Sequence, residues 1–197
     1  MLLIRSFYSR EDVVAIAKDL IGKYIFTNFN GEITSGMISE TEAYAGISDR
    51  ASHAFGGRKT PRTEVMYRQG GTAYVYLCYG IHSLFNLVTN QQNIPHAILI
   101  RAFRPLDGIQ VMERRMGRKA GSKSFTSGPG NVARALGIHY SASGADLCIA
   151  GTNEHPNRIW IEDRGYLPSE AEINITPRIG IAYAGDDILL PYRFILK

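Results

Sequence analysis

The chain has 197 residues, 45% hydrophobic, 20% charged and 10% aromatic, a globular composition that excludes disorder, collagen and coiled coil. No apolar run approaches the roughly 20 residues of a membrane span, and the opening MLLIRSFYSRED lacks the apolar core of a secretory signal, so no membrane partner and an intracellular location are expected. Lys+Arg 22 against Asp+Glu 18 leaves +4, a mild basic bias compatible with a nucleic-acid partner.

No repeat, low-complexity tract or linker divides the chain, which reads as one domain over residues 1–197. Ser9 and Asp12 form an S-x-x-D capping pattern ahead of a helix in which Val13, Ile16, Ala17, Leu20 and Ile21 recur at helical spacing before Gly22. Strand-like runs follow at Lys23 to Asn28 and Met37 to Tyr44. The next stretch, to Gly71, is polar and irregular, and a loop that long in a compact domain tends to be functional.

Thr72 to Tyr79 (TAYVYLCY) is β-branched and aromatic, a strand, with Gly80 to Ser83 a turn and Leu84 to Thr89 the return arm of a hairpin. His96 to Phe103 predicts another strand, and Ile109 to Met116 and Asn131 to Leu136 predict helices. Asp146 to Ala150, Arg158 to Glu162, Ile179 to Tyr183 and Tyr192 to Leu196 predict further strands. With no regular βαβ alternation, the pattern predicts an α+β fold: a mainly antiparallel, curved sheet with a protruding hairpin and surrounding helices. Cys78 and Cys148 can pair once at most and are expected to be reduced core residues. His53, His82, His96, His139 and His155 are scattered, with neither CxxC nor HExxH, so no metal is expected.

Four constellations could carry chemistry. Glu40, Glu42 and Tyr44 share one face of a strand by alternation; they suit either a solvated edge or a carboxylate that activates water beside a ring holding a flat substrate. Tyr74, Tyr76 and Tyr79 suit cross-strand packing, or a division of labour in which one ring lines a pocket and the tip ring wedges between stacked bases. Asn86, mid-strand among apolar residues, needs hydrogen-bond partners and could read the edge of a base. Arg50, His53, Arg58, Lys59, Arg62 and Arg68 lie among glycines that permit close backbone approach, so they suit phosphate contacts as well as plain solvation. Ser127 to Asn131 (SGPGN) and Ala184-Gly185-Asp186 are weaker anion-binding candidates. Arg101 could pair with Glu42 or Glu40.

Taken in order, SETEAY, ASHAFGGRKTPR, VMYRQGGTAYVYLCYG, the Asn86 strand, LIRAFRPLDG, SGPGNVARALGI, RIWIEDRG and RIGIAYAGDD resemble the alkyladenine (3-methyladenine) DNA glycosylase family. The resemblance implies a monofunctional base-excision-repair enzyme that flips alkylated or deaminated purines out of duplex DNA and hydrolyses the N-glycosylic bond, with no metal, no cofactor and no lyase step. It implies Glu42 as the general base and Arg101 as a positioner of the water, with the Ile159 carbonyl as a further contact. Tyr44, His53 and Tyr76 would stack on the flipped base, Asn86 would disfavour guanine, and Tyr79 would intercalate. Arg58, Lys59, Arg62 and Gly185 are expected at the DNA backbone. The partner is then double-stranded DNA bearing a damaged purine, with no obligate protein partner and a monomeric chain, inside the cell and, if the source is bacterial, in the cytoplasm or nucleoid. The polar NQQNIPH before the Arg101 strand and His82 past the hairpin tip depart from the family pattern, and partner binding through the long N-terminal extension of some family members is not expected. Two other classes fit less of the chain: a non-catalytic nucleic-acid binder using aromatic stacking, and a carbohydrate glycosidase using Glu40 and Glu42, whose Cα atoms would lie roughly 6.5–7 Å apart.

Overall fold

The computed structural model describes residues 1–122, 124–149 and 157–197, so Ala150 and His155 lie outside the described residues. The chain opens with a short helix, α1 (Arg5–Tyr8), and then α2 (Val13–Asp19). The cap of α2 is Asp12, whose carboxylate accepts from the backbone N–H groups of Val14 and Ala15, an arrangement worth about 1 kcal/mol. Ser9 has no part in it. Ser9 instead ends α1 as its C-cap, and its hydroxyl accepts from the Gln69 amide.

Eight strands follow in one sheet whose named pairings are all antiparallel: β1 (Tyr24–Phe29), β2 (Glu32–Tyr44), β3 (Ala73–Cys78), β4 (His82–Thr89), β5 (His96–Pro105), β6 (Arg158–Glu162), β7 (Ile173–Thr176) and β8 (Arg193–Leu196). The main path runs β3-β4-β5-β2-β1-β6. Helices α3 (Ile109–Met116) and α4 (Pro129–Leu136) complete an α+β architecture. No helix among the described residues is long and apolar enough to cross a membrane.

Strand β2 organises the sheet. Along one side it pairs with β5 from Gly36 to Tyr44; along the other, β1 serves residues 32–37 and β8 takes over at Glu40 to Glu42. Ser39 on β2 and Arg101 on β5 each fall between paired residues, so each strand carries one extra residue there. Such bulges re-aim side chains. Here the Ser39 bulge lets Ile38 and Thr41, three residues apart, both face the core, where the Thr41 hydroxyl donates to the Ala17 carbonyl of α2. Glu40, Glu42 and Tyr44 are left together on the other face.

The core face gathers Ile16 from α2 and Leu20 at its C-cap, Phe85 and Leu87 from β4, Ile98 and Ile100 from β5, and Val132 and Leu136 from α4, all fully buried. A full Leu or Ile side chain removed from water contributes about 1.5–3 kcal/mol, so this face supplies the stability that lets the opposite face be polar.

Two expected strands are not there. Asp146 makes a single bridge to Thr72, because its carboxylate turns the chain by accepting from the Cys148 N–H and pairing with Arg5. Ile179 to Tyr183 is irregular, since Arg178 and Ile179 bond inward to β2 side chains and the loop after it rather than to a neighbouring strand. Cys78 and Cys148 are free but only half-buried rather than core.

Candidate active site

Alternation along four strands builds one surface. Tyr74 pairs with Asn86, Asn86 with Leu99, and Leu99 with Glu42, a continuous rung across β3, β4, β5 and β2. Beside it lies a cavity of about 240 Å³, whose walls include Tyr44, His53, Tyr74, Tyr76, Asn86, Arg101, Ile179 and Tyr183. The loops after β2 and β7 close it from above, bringing His53 and Ile179 to Ile181.

Glu42 lies one layer behind the cavity wall and has no exposed surface. Its burial is polar. Oε1 accepts from the Ile179 backbone N–H at 2.8 Å; Oε2 accepts from the Tyr44 hydroxyl at 2.9 Å and from Arg101 Nη1 at 3.4 Å. All three donors belong to residues that line the cavity, so the carboxylate sits directly behind its lining. Burial and the adjacent Glu42 charge raise the Tyr44 hydroxyl well above its ordinary pKa, which keeps it a donor.

Glu40 holds the arginines. Its Oε1 accepts from Arg101 Nε at 2.9 Å and from Arg193 Nε at 2.7 Å, so Arg101 bridges the two carboxylates. An acid so engaged is not available as the proton donor of a paired-carboxylate glycosidase.

Asp49 and Arg178 were not visible as site residues in the sequence. Their side chains are 1% and 0% exposed and form a two-pronged pair at 2.5 and 2.9 Å. Asp49 also accepts from the N–H groups of Ala45 and Ala51, fixing the loop that leads to His53. Arg178 donates to the Ala43 carbonyl, between Glu42 and Tyr44, and lies 4.8 Å from the Tyr44 ring centroid. The residue after it supplies the N–H on Glu42.

The aromatic wall is tied together. His53 and Tyr76 meet edge to face with centroids 4.7 Å apart, and Tyr74 is tilted against Tyr76 at 5.4 Å. His53 Nδ1 is 2.9 Å from the Tyr74 hydroxyl, whose pKa is pushed up to about 12 by burial. Burial first, then Arg62 and Arg58, lower the His53 pKa to about 4, so the ring is neutral at physiological pH. Asn86 is buried and its amide nitrogen donates to the Tyr74 and Leu84 carbonyls, which fixes which end of the amide is nitrogen.

Tyr79 stands at the hairpin tip, 93% exposed, at the cavity mouth. It has φ 51° and is followed by Gly80 at φ 71°, with Ile81 N–H donating to the Cys78 carbonyl. This is a turn that Asn-Gly ordinarily occupies, and a tyrosine in the left-handed region costs roughly 1–2 kcal/mol.

Ile159 is not in the site. It is a core residue on β6, paired with Thr27 of β1 at the far edge of the sheet. Beside Glu42 the neighbour of β2 is β8, not β1, so β6 is carried away, and Ile179 occupies the place expected of Ile159. Among the loop cations, Arg58 edges a shallow groove with Arg50 and Ser52, while Lys59 covers Tyr67 and Arg68 lies against Gly144. Arg62 stays exposed at the outer side of the wall, with Cζ 4.6 Å from the Tyr76 centroid and Nη2 3.4 Å from His53 Nε2. Gly185 opens a short turn at φ 57°, and a Cβ there would meet Arg50 Nη1 at 2.8 Å. Pro129, from the SGPGN segment, lines the cavity, while His82 packs on Gly130.

The sequence profile described as methylpurine-DNA glycosylase matches residues 6–197. A protein of Chlamydia felis is 42% identical over 200 residues, covering 100% of this chain and 96% of its own length. One from Clostridium perfringens is 37% identical, covering 100% and 96%. One from Bacillus cereus is 40% identical, covering 96% and 92%. All three carry the provisional name 3-methyladenine DNA glycosylase.

Proposed function

The chain belongs to the methylpurine-DNA glycosylase family, and from that premise we propose that it excises damaged purines from duplex DNA with a water activated by Glu42. A base stacked in a duplex is out of reach, so the nucleotide swings out at a cost of a few kcal/mol, less for a lesion. Tyr79 fills the vacancy from the hairpin tip, and the base enters between Tyr44 and the His53–Tyr76 wall. Asn86, fixed by two backbone carbonyls, crowds the exocyclic amine of guanine.

Glu42 accepts a proton from a water held at the cavity floor by Arg101, and the oxygen bonds to C1′ of the sugar. The C1′–N bond breaks and its electron pair leaves with the base. A cationic base departs neutral, and a neutral base departs as an anion that then takes up a proton. As the sugar passes through an oxocarbenium-like state, the buried carboxylate also stabilises its positive charge. No lysine lines the cavity among the described residues, which favours simple hydrolysis over a strand-nicking step. The chain acts as a monomer, inside the cell where duplex DNA is found.

The observation that carries this reading is the position of Glu42, gripped by three donors that all line the aromatic cavity. Glu42→Gln keeps the shape and removes the base. Release of a methylated purine from an oligonucleotide should fall by roughly 10²–10⁴-fold while duplex binding survives. Full activity in that variant refutes the assignment.

A further inference from the structure

Two rings of the cavity wall already carry a cation: Arg178 lies against Tyr44 and Arg62 against Tyr76. At the floor the charges cancel, because Arg101, Arg178 and Arg193 are matched by Glu40, Glu42 and Asp49. Arg62 is different. Among the described residues no carboxylate lies within ion-pairing distance of it. Its polar contact is His53 Nε2, and since a guanidinium can only donate, that nitrogen is an acceptor and the ring is neutral. The low pKa of His53, set first by burial and then by the Arg62 and Arg58 charges, agrees with a neutral ring.

We infer that Arg62 sets the charge selectivity of the cavity, favouring neutral purine lesions over cationic ones. The inference rests on the glycosylase reading and adds a substrate class to it. An electron-rich ring attracts a cation, but a ring that already holds a guanidinium has that attraction offset by the repulsion between the two positive charges. Two unit charges a few ångströms apart at a wetted site repel by about 1 kcal/mol, or about five-fold in binding.

Where this repulsion registers follows from the chemistry. During bond breakage either base loses the same unit of charge, one from positive to neutral and the other from neutral to negative. The two bases therefore differ by one positive charge in the bound state and in the transition state alike. Selectivity enters kcat/KM through binding and cancels in kcat.

The test uses the full chain and two duplexes identical except for 7-methylguanine, which is cationic, or hypoxanthine, which is neutral. Each is assayed by competition for relative kcat/KM and at saturation for kcat. Arg62→Gln should raise the 7-methylguanine to hypoxanthine ratio of kcat/KM about five-fold and leave the ratio of kcat unchanged, while Arg62→Lys keeps the original preference. If Arg62 served only a DNA phosphate, both duplexes would weaken equally, and an unchanged kcat/KM ratio in Arg62→Gln overturns the inference. A change confined to the kcat ratio overturns it as well. Release of neither base by the unmodified protein overturns the glycosylase reading and the inference with it.

Discussion

Ile179 and Glu42, 137 residues apart in the chain, are joined by a 2.8 Å hydrogen bond from backbone N–H to Oε1. The bond is placed by the neighbouring Arg178, whose side chain is anchored on Asp49 and on the Ala43 carbonyl. One buried ion pair thus fixes the carboxylate, the Tyr44 ring and the loop to His53.

Asp49→Asn or Arg178→Met leaves its partner buried and unpaired, which costs about 3–5 kcal/mol. For a chain of this length the melting temperature should drop by roughly 6–20 °C. Replacing both, as Asp49→Leu with Arg178→Met, should recover only part of that stability in a thermal melt, because the Ala45 and Ala51 N–H groups lose their acceptor, and should not recover the rate of base release. A double variant as active as the parent would show that the pair has no positioning role.

Glu40 acts on Arg101 rather than on substrate. Glu40→Gln keeps one acceptor but loosens the hold on Arg101 and Arg193. Ångström-scale misplacement can lower rates by up to about a hundred-fold, so kcat should fall toward that limit. Duplex affinity, measured by fluorescence anisotropy, should stay unchanged, and a loss in affinity alone would contradict the assignment.

The strained turn predicts a trade. Tyr79→Asn removes about 1 kcal/mol of left-handed strain, so the melting temperature should rise by roughly 2–4 °C. Excision from duplex DNA should fall in the same protein, since the wedge is gone. A variant that loses stability would mean that the exposed ring makes contacts in the folded chain.

His53 makes stability depend on pH. Its native pKa is about 4, while an unfolded histidine titrates near 6.5. Between those values the unfolded chain binds a proton that the native chain refuses. The contribution is therefore complete above about pH 6.5 and is lost as the pH falls toward 4. His96, also lowered by burial, adds a background common to both proteins. Melting temperatures between pH 7.5 and 4.5 should decline less steeply in His53→Gln than in the parent; parallel curves would exclude His53 as the source.

The sequence carried most of the strand inventory because alternation and β-branched runs are local. Tyr74, Tyr76, Asn86, Glu42 and Arg101 all come to one face, as period-two reasoning requires. Three features were not readable. The Ile159 carbonyl contact is implied only by the family resemblance, but the exchange of β1 for β8 beside β2 takes β6 away from the site. Arg178 and Asp49 resembled ordinary loop charges, since only the tertiary fold removes them from water. The seat of Arg62 over the Tyr76 ring and beside His53 depends on a tertiary meeting that no local pattern shows.

The extra residue at Ser39 sets the phase of everything that follows it on β2. A chain shortened by that one serine would run half a pleat out of step, with two carboxylates pressed onto α2 and a threonine and an alanine facing the cavity. An insertion–deletion tolerated almost anywhere on the outer loops would here exchange catalyst for ballast. The scaffold and its chemistry are locked to the same count of residues.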